Sequence, residues 1–567
     1  MKNAKITRIQ ILLAMVLMLA AGIVSVHAQT YTPLYTYPAT TNNSSGVAAP
    51  ALFSQGPDGD LYSTIQTNGT HNLGSVYKMT TAGEYTLVYS FCAELGHCNL
   101  TGETPYGGVT LGTDGNFYGT TLGGGACDQG VGTIFKITPT ATWTKLWDFT
   151  AGTTCNGHVA LKDEGAPFYA PFQGQDGNFY GVDQGVYSGT YGVFYKITSK
   201  GILTPYPFAF SNGANPNIPT QGIDGNFYGT TQSGGDPTCR CGVVYKATAG
   251  GKITALHTFK GYPTDGNRPI GGLVQGNDGD FYGTTYQGGV NNEGSVFKIS
   301  ASGVYSLLFS FDFASPTLGG QLPVTGLTLG SDGNLYGTTE RGGKNNYGTI
   351  FQVTPGGSLT FLHSFCSVAG CPDGIVPETP LVQHTNGKFY GTASGNSLCC
   401  SVFYSFDMGL GPFTRSPLRS GKVGASVGFL GQGFTTASSV SFNGTPATFK
   451  VVSDTFLTAK VPVGALTGVV SIVTSADTLL TSHNFLVLPA ITTISPTSGV
   501  VDTVVKITGS GLTQASKVTV GGKSGTFTVN SDSQITATVP AGAKTGRIVV
   551  TTPGGTATSA ATFTVTP

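Results

Sequence analysis

Four polar residues sit two places before a recurring proline: Glu103, Asn267, Gln321 and Glu378, ahead of Pro105, Pro269, Pro323 and Pro380. The same proline recurs at Pro50, Pro167 and Pro216. Carboxylates and amides held in a ring can accept hydrogen bonds from a ligand or hold a cation through oxygen, and a pair of acids can share acid–base work on a sugar bond. Ten cysteines are a second group. Cys92/Cys98 and Cys366/Cys371 follow Phe91 and Phe365 in the same way, so each pair is expected to staple a short loop. Cys127 with Cys155 is a third candidate pair. Cys239-Arg240-Cys241 and Cys399-Cys400 are too closely spaced for relaxed bridges, which leaves strained bridges or free thiols open.

The remaining chemistry-bearing residues make no constellation. No C-x-x-C or H-x-x-x-H spacing occurs, so no metal and no cofactor are expected. His71, His97, His158, His257, His363 and His384 show no ligand spacing, and His257 and His363 share a repeat position with Tyr35 and Phe309, which packing explains. Asp163 and Glu164 are adjacent, an arrangement that points side chains apart on a strand. No nucleophile motif stands out and no catalytic residue is assigned.

The elements that must position the four polar residues are set by a repeat. Asp-Gly-x-Phe/Leu-Tyr begins at Asp58, Asp114, Asp176, Asp224, Asp278 and Asp332 and returns at Asn386 as Asn-Gly-Lys-Phe-Tyr. Within one copy, Pro269 to Val274 reads as a strand, Asn277 to Asp280 as a hairpin turn, and Phe281 to Thr285 as a second strand. Val296 to Ile299 and Leu307 to Phe311 complete four strands. Seven such units predict a seven-bladed β-propeller, with the glycine-rich first strand innermost, where bulky side chains do not fit. The aromatic fourth strand recurs from Phe91 to Phe365, and its remaining copy, Leu34 to Tyr37, precedes the first turn. The N-terminal strand is therefore expected to complete the last blade and close the ring. This order puts all ten cysteines, and the mouth of the central channel with the four polar residues, on one loop face. The seven tyrosines of the second strand (Tyr62 to Tyr390) are expected between blades rather than on a sugar-stacking surface. Lys78, Lys136, Lys196, Lys246 and Lys298 are expected to pair with the turn aspartates.

The pattern D-G-N-F-Y-G-T-T…G-G…G-x-V-F-K-I, seen at Asp114 to Ile137 and Asp278 to Ile299, resembles the GloVer tandem repeat of secreted bacterial proteins. The resemblance runs from about Tyr31 to Gly409 and implies export and a propeller-like array, with no established activity to carry over. After Gly409 a different period of 78 residues begins: Gly421, Gly431, Gly433, Pro462 and Gly468 return as Gly499, Gly509, Gly511, Pro540 and Gly546. Both copies resemble the IPT/TIG family of Ig-like domains, through Ile494 to Gly499, Gly509 to Gly511 and Thr552 to Gly555. That resemblance implies spacers or binding modules.

At the N-terminus, Lys2, Lys5 and Arg8 precede an apolar run from Ile9 to Ile23 and small residues ending at Ala28. This is the form of a cleaved export signal. The expected organisation is a signal peptide over 1–28, the seven-bladed propeller over 29–409, and Ig-like β-sandwich domains over 410–488 and 489–567, an all-β chain. Lys+Arg and Asp+Glu are both 28, which removes the electrostatic footprint of a nucleic-acid binder. The mature chain is expected to be a monomer without a membrane span, secreted or held at the cell surface or in the periplasm. Its expected role is non-catalytic binding of a carbohydrate, a protein or a surface polymer through the loop face. The alternative is a propeller enzyme, a lyase or glycoside hydrolase, with acids at the channel mouth. Because each 78-residue copy carries its own strands and turns, residues 410–567 expressed alone should unfold in one cooperative thermal transition. A disordered circular-dichroism spectrum would count against the domain assignment.

Overall fold

The computed structural model describes residues 29–38, 52–93, 101–125, 130–150, 167–185, 191–312, 319–395 and 401–567. The expected signal peptide, Pro50, His97, Cys98, Cys127, Cys155, His158, Asp163, Glu164, Cys399 and Cys400 lie outside these residues. The chain is all-β, with single 3-10 turns at Phe210–Asn212 and Phe434–Thr436. No helix among them is long and apolar enough to cross a membrane.

Each repeat forms one antiparallel sheet. In the fifth, Val274–Gln275, Phe281–Thr285, Ser295–Ile299 and Tyr305–Ser310 lie side by side in chain order. The first five residues of the second strand are buried in every repeat, for example Phe117–Thr121 and Phe281–Thr285. It is covered on both faces, so its sequence has no polar alternation. The aspartate of each turn organises the hairpin. Asp224 Oδ2 accepts hydrogen bonds from Tyr228 Oη at 2.7 Å and Lys246 Nζ at 3.0 Å. Lys78, Lys196 and Lys298 pair with their turn aspartates in the same way, and in the sixth repeat Gln352 takes the lysine's place.

The cores lie between sheets. The second-strand tyrosine of one sheet packs on the apolar residue that opens the second strand of the next: Tyr62 on Phe117, Tyr118 on Phe179, Tyr180 on Phe227, Tyr228 on Phe281 and Tyr336 on Phe389, with ring centres 3.9–4.3 Å apart. Tyr282 shares a core with Leu335. Tyr390 of the last sheet shares one with Leu61 of the first. The tyrosines are thus packing residues, as expected from their strand position.

A second set of contacts runs round the inner strands. Glutamines at the ends of these strands reach back to the preceding turn. Gln173 accepts the Thr113 N–H, Gln221 that of Gln175, Gln275 that of Ile223, and Gln383 that of Ser331, at 2.8–3.0 Å. Gln55 of the first sheet accepts the Thr385 N–H of the last at 3.2 Å. The inner strands crowd: a Cβ on Gly107 would meet the backbone of Phe168 and Ala170 at 2.6 Å, and one on Gly272 the Ile218 carbonyl at 2.7 Å. Glycine alone allows that approach.

The N-terminal strand Thr30–Thr36 pairs antiparallel with Val402–Asp407, and Tyr37 N–H reaches Ser401 O at 2.9 Å. Tyr31 stacks on His363 of the sixth repeat, and Tyr37 is buried against Tyr77 of the first. His257 and His363 do pack as expected, on Tyr305 and Tyr31. Each also bonds an aspartate at 3.0 Å, Asp265 and Asp373, which the packing argument did not anticipate.

Residues beyond Gly411 form two sandwiches. The first joins a sheet of Ser426–Leu430, Phe456–Lys460 and Phe449–Ser453 to one of Thr445–Ala447, Ser439–Phe442, Val470–Val473 and Thr478–Leu480. Its core is built on Phe429, Phe442, Leu457 and Phe485. The second repeats the arrangement around Val505, Ile507, Val518, Ile535 and Val550. The first sandwich docks on the turn side of the repeats. Ser453 and Thr455 hydroxyls donate to Pro57 O at 2.9 and 2.8 Å, and Thr385 Oγ1 donates to Gly431 O at 3.2 Å. Beneath this junction His384 is buried. Its Nδ1 accepts the Asn386 N–H at 3.1 Å, which leaves the ring proton on Nε2 to donate to Gly59 O at 2.9 Å.

Two predictions follow from these seams. Deleting Tyr31 to Pro38 strips the outer strand from the last sheet and Tyr37 from the first core, and should lower the melting temperature by about 10 °C or more. An unchanged melting temperature would refute the closure. Burial, aided by the nearby Arg415 charge, lowers the His384 imidazole from its ordinary 6.5 to about 4. The unfolded chain therefore binds the extra proton first, and stability should fall as pH drops from 6.5 towards 4, by about 2–3 kcal/mol from this group. Urea titrations at successive pH values should show this loss, and His384→Gln should flatten it.

Candidate functional site

The four polar residues ahead of the prolines do not share one position. Glu103, Asn267 and Gln321 pair with Gly123, Gln287 and Arg341 of the second-to-third-strand segment in their own repeats. In the seventh repeat that place belongs to Ile375, bridged to Ser394. The next residue takes positive φ in five repeats: Thr104, Asn215, Arg268, Leu322 and Val376. The prolines that follow are Pro105, Pro216, Pro269, Pro323 and Pro377. The expected equivalence of Glu103 and Glu378 is therefore corrected. The stretch Val-Pro-Glu-Thr-Pro contains two prolines, and Pro377, not Pro380, is the repeated one. Glu378 stands where the second repeat has Tyr106 and the fourth has Asn217.

This shift changes which residues gather where the inner strands begin. Gln321 is buried, and Glu103 and Asn267 are half-buried in the outer pairing. Glu378 is exposed and close to residues of other repeats. Ser394 Oγ donates to its Oε2 at 3.1 Å. Its carboxyl is pushed up chiefly by the protein packed around it, against the Ser394 bond, with the charge of Glu340 adding to the rise. Glu340 in turn accepts the Tyr286 hydroxyl at 2.8 Å, and the Arg268 guanidinium lies 5.6 Å from the centre of the Tyr286 ring. On the other side Tyr106 is 47% exposed and meets Phe168 edge-on, with ring centres 5.4 Å apart. Burial raises the Tyr106 phenol, and the charge of Glu378 raises it further. The second and seventh repeats thus sense each other across the first.

Two contact groups face each other here, Tyr106 with Phe168 and Glu340 with Tyr286 and Arg268, and the Glu378 carboxylate lies within charge-interaction range of both. The site offers the exposed ring of Tyr106 with half-buried Phe168 and Tyr286, two carboxylates, and the guanidiniums of Arg268 and Arg341, the latter 3.8 Å from Glu340. Sequence reasoning found Glu378 and missed the rest, because Tyr106 and Phe168 directly follow Pro105 and Pro167 and the register was read from the residues before the proline. The sequence carried the signal in the proline itself. Among the described residues no group of three His, Cys, Asp or Glu side chains is arranged to hold a metal ion.

The cysteine bridges brace the same loop side. Cys366 is joined to Cys371, as expected, and Cys239 to Cys241. Cys92 is also disulfide-bonded. Cys92 and Cys366 share a positive φ, 51° and 52°, in keeping with their equivalent places.

Comparison with known proteins bears on these repeats and sandwiches separately. No curated protein matches the chain. Among solved structures, the chain is similar to a surface glycan-binding protein of Prevotella bryantii at 20% identity, with a TM-score of 0.21 over 26% of this chain and 38% of that one. It is similar to SGBP-B from a complex xyloglucan utilization locus in Bacteroides uniformis, at 20% identity, with a TM-score of 0.15 over 27% and 48%. It is also similar to a copper-bound fungal alcohol oxidase of the AA5 family at 12% identity, with a TM-score of 0.44 over 80% of this chain and 100% of that one. The chain spans well under two thirds of both SGBP-B proteins. Residues 166–404 match the Gloeobacter/Verrucomicrobia repeat and residues 489–565 the IPT/TIG domain. The chain therefore joins an array of the Gloeobacter/Verrucomicrobia repeat family to a C-terminal domain of the IPT/TIG family.

Proposed function

We propose that this is an exported binding protein whose repeats close into a seven-bladed β-propeller over residues 29–409, with Ig-like domains over 410–488 and 489–567, and that it takes a carbohydrate at the loop-side mouth of the channel. The last-to-first contacts, Gln55 with Thr385 and Leu61 with Tyr390, support the closed ring. The carbohydrate reading rests on one observation: the exposed Tyr106 ring, set against Phe168, lies within charge-interaction range of Glu378, as Glu378 does of Glu340. A sugar ring presents an apolar face and a rim of hydroxyls. Tyr106 supplies a rigid apolar platform with little ordering cost, and the two carboxylates accept hydroxyl protons. The bridged loops around the mouth hold these groups in place before a ligand arrives. The sandwich pair then serves as a spacer or second binding module.

A second reading is favoured by the same carboxylate. A carboxyl whose pKa is raised beside another acid suits a general acid, and a lyase or hydrolase acting on a glycan would use it so.

A soluble glycan array followed by calorimetry on the best ligand tests the proposal. Tyr106→Ala should weaken binding about ten-fold or more and Glu378→Gln several-fold, each with an unchanged melting temperature. Unchanged affinity in both variants would sink the mouth as the site. Release of reducing ends from the bound glycan, lost in Glu378→Gln, would favour the enzyme.

A further inference from the structure

The opposite end of the channel has different chemistry. Where the first sandwich docks, a cavity of about 460 Å³ lies between it and the inner strands. That size suits a small ligand. Phe53, Phe172, Val274 and Leu327 of four different repeats form much of its wall, with Phe413 and Phe485 from the sandwich side. Into this largely apolar space the chain from Gly411 onward brings two cations, Arg415 and Arg419.

Among the described residues no carboxylate lies within ion-pair distance of either cation. Arg415 makes one long bond, Nη1 to Gln383 O at 3.5 Å. Arg419 is exposed by its surface, and it lines the chamber. The protein packed around Arg415 lowers its guanidinium to about 10. Both arginines remain cationic at neutral pH and line one chamber as like charges, an arrangement that an anion between them relieves.

Two further polar atoms on the wall lack partners. Ser416 Oγ and His483 Nε2 are buried without a hydrogen bond. The His483 ring is held neutral by burial and by the two arginines. Ser482 Oγ lies 2.9 Å from its Nδ1. Nε2 is left without a partner. Two guanidiniums and one unpartnered hydroxyl therefore line a chamber whose wall supplies no acidic acceptor.

We propose that this chamber binds a small organic carboxylate with an apolar body, its carboxylate between Arg415 and Arg419 and its body against the phenylalanines. The fork of a guanidinium matches a carboxylate in two parallel bonds, and the aromatic walls select against a bare inorganic anion. This site is separate from the carbohydrate mouth and does not rest on it.

Benzoate is the probe, titrated into the full mature chain by calorimetry, with benzamide as its neutral counterpart and inorganic phosphate as an anion without an apolar body. Saturable benzoate binding is expected, with benzamide and phosphate each at least about ten-fold weaker. Arg419→Gln should weaken benzoate about ten-fold, while Tyr106→Ala leaves it unchanged. If Arg419→Gln does not fold, Arg419→Lys decides: it keeps the charge, loses the fork, and should weaken benzoate about three-fold at an unchanged melting temperature. Absence of saturable benzoate binding, equal binding of benzamide or phosphate, or full affinity in the foldable Arg419 variant would overturn the proposal.

Discussion

Every repeat sheet is apolar on both faces, and that constraint organises the rest of the molecule. A sheet such as Phe281–Thr285 with its neighbours cannot leave either side to water, so it must be covered twice. The covering element is another copy of itself. Tyrosine from one sheet stacks on the aromatic or leucine of the next, and its hydroxyl is spent on the turn aspartate, so the one polar atom on a buried ring is satisfied. An open row of such sheets would end with two unprotected faces. Bringing Tyr390 to Leu61 removes both at once.

Much of this was legible in the chain. The turn aspartates, the tyrosines four residues later and the lysines across the hairpin are fixed by local spacing, and the structure pairs Lys78, Lys196, Lys246 and Lys298 with their aspartates as spacing suggested. The detached aromatic strand before Asp58 told where the ring is sewn, because the last repeat lacks its own copy. What was not legible is the meeting of distant repeats. Glu378 and Tyr106 occupy one repeat position only once the register is set by Pro377, and three-dimensional pairing of Ile375 with Ser394 is what sets it. The glutamines behind each turn were passed over for a similar reason: Gln173 and Gln275 look like ordinary polar strand ends until their partners in the preceding repeat are known. Arg415 and Arg419 sit in a segment that reads as a linker, and only docking places them under the inner strands.

The chain as a whole is neutral, yet charged side chains gather locally. Glu340 and Glu378 lie on the loop side with Arg268 and Arg341, and Arg415 and Arg419 line the chamber under the first sandwich. The arrangement explains why net charge excluded a broad electrostatic footprint and yet was silent about local sites. Low overall charge also means that few mobile counter-charges of the protein's own compete at either end.

The position of the seam has a consequence for how such a protein can change over generations. The strand that completes the last sheet comes from the chain's beginning, so the cut between first and last copies falls inside a sheet and not between two sheets. Unequal recombination between internal copies can then add or remove a whole unit of about 54 residues, as between Asp224, Asp278 and Asp332, while both halves of the seam are inherited intact. A ring of a different size would still have matching ends. The docking turn at Pro57 and the partner at Thr385 lie next to that seam, one on either side of it, so they too would survive such an event. Copy number is in this sense the loosest variable of the architecture, and the strand at Thr30–Thr36 the tightest.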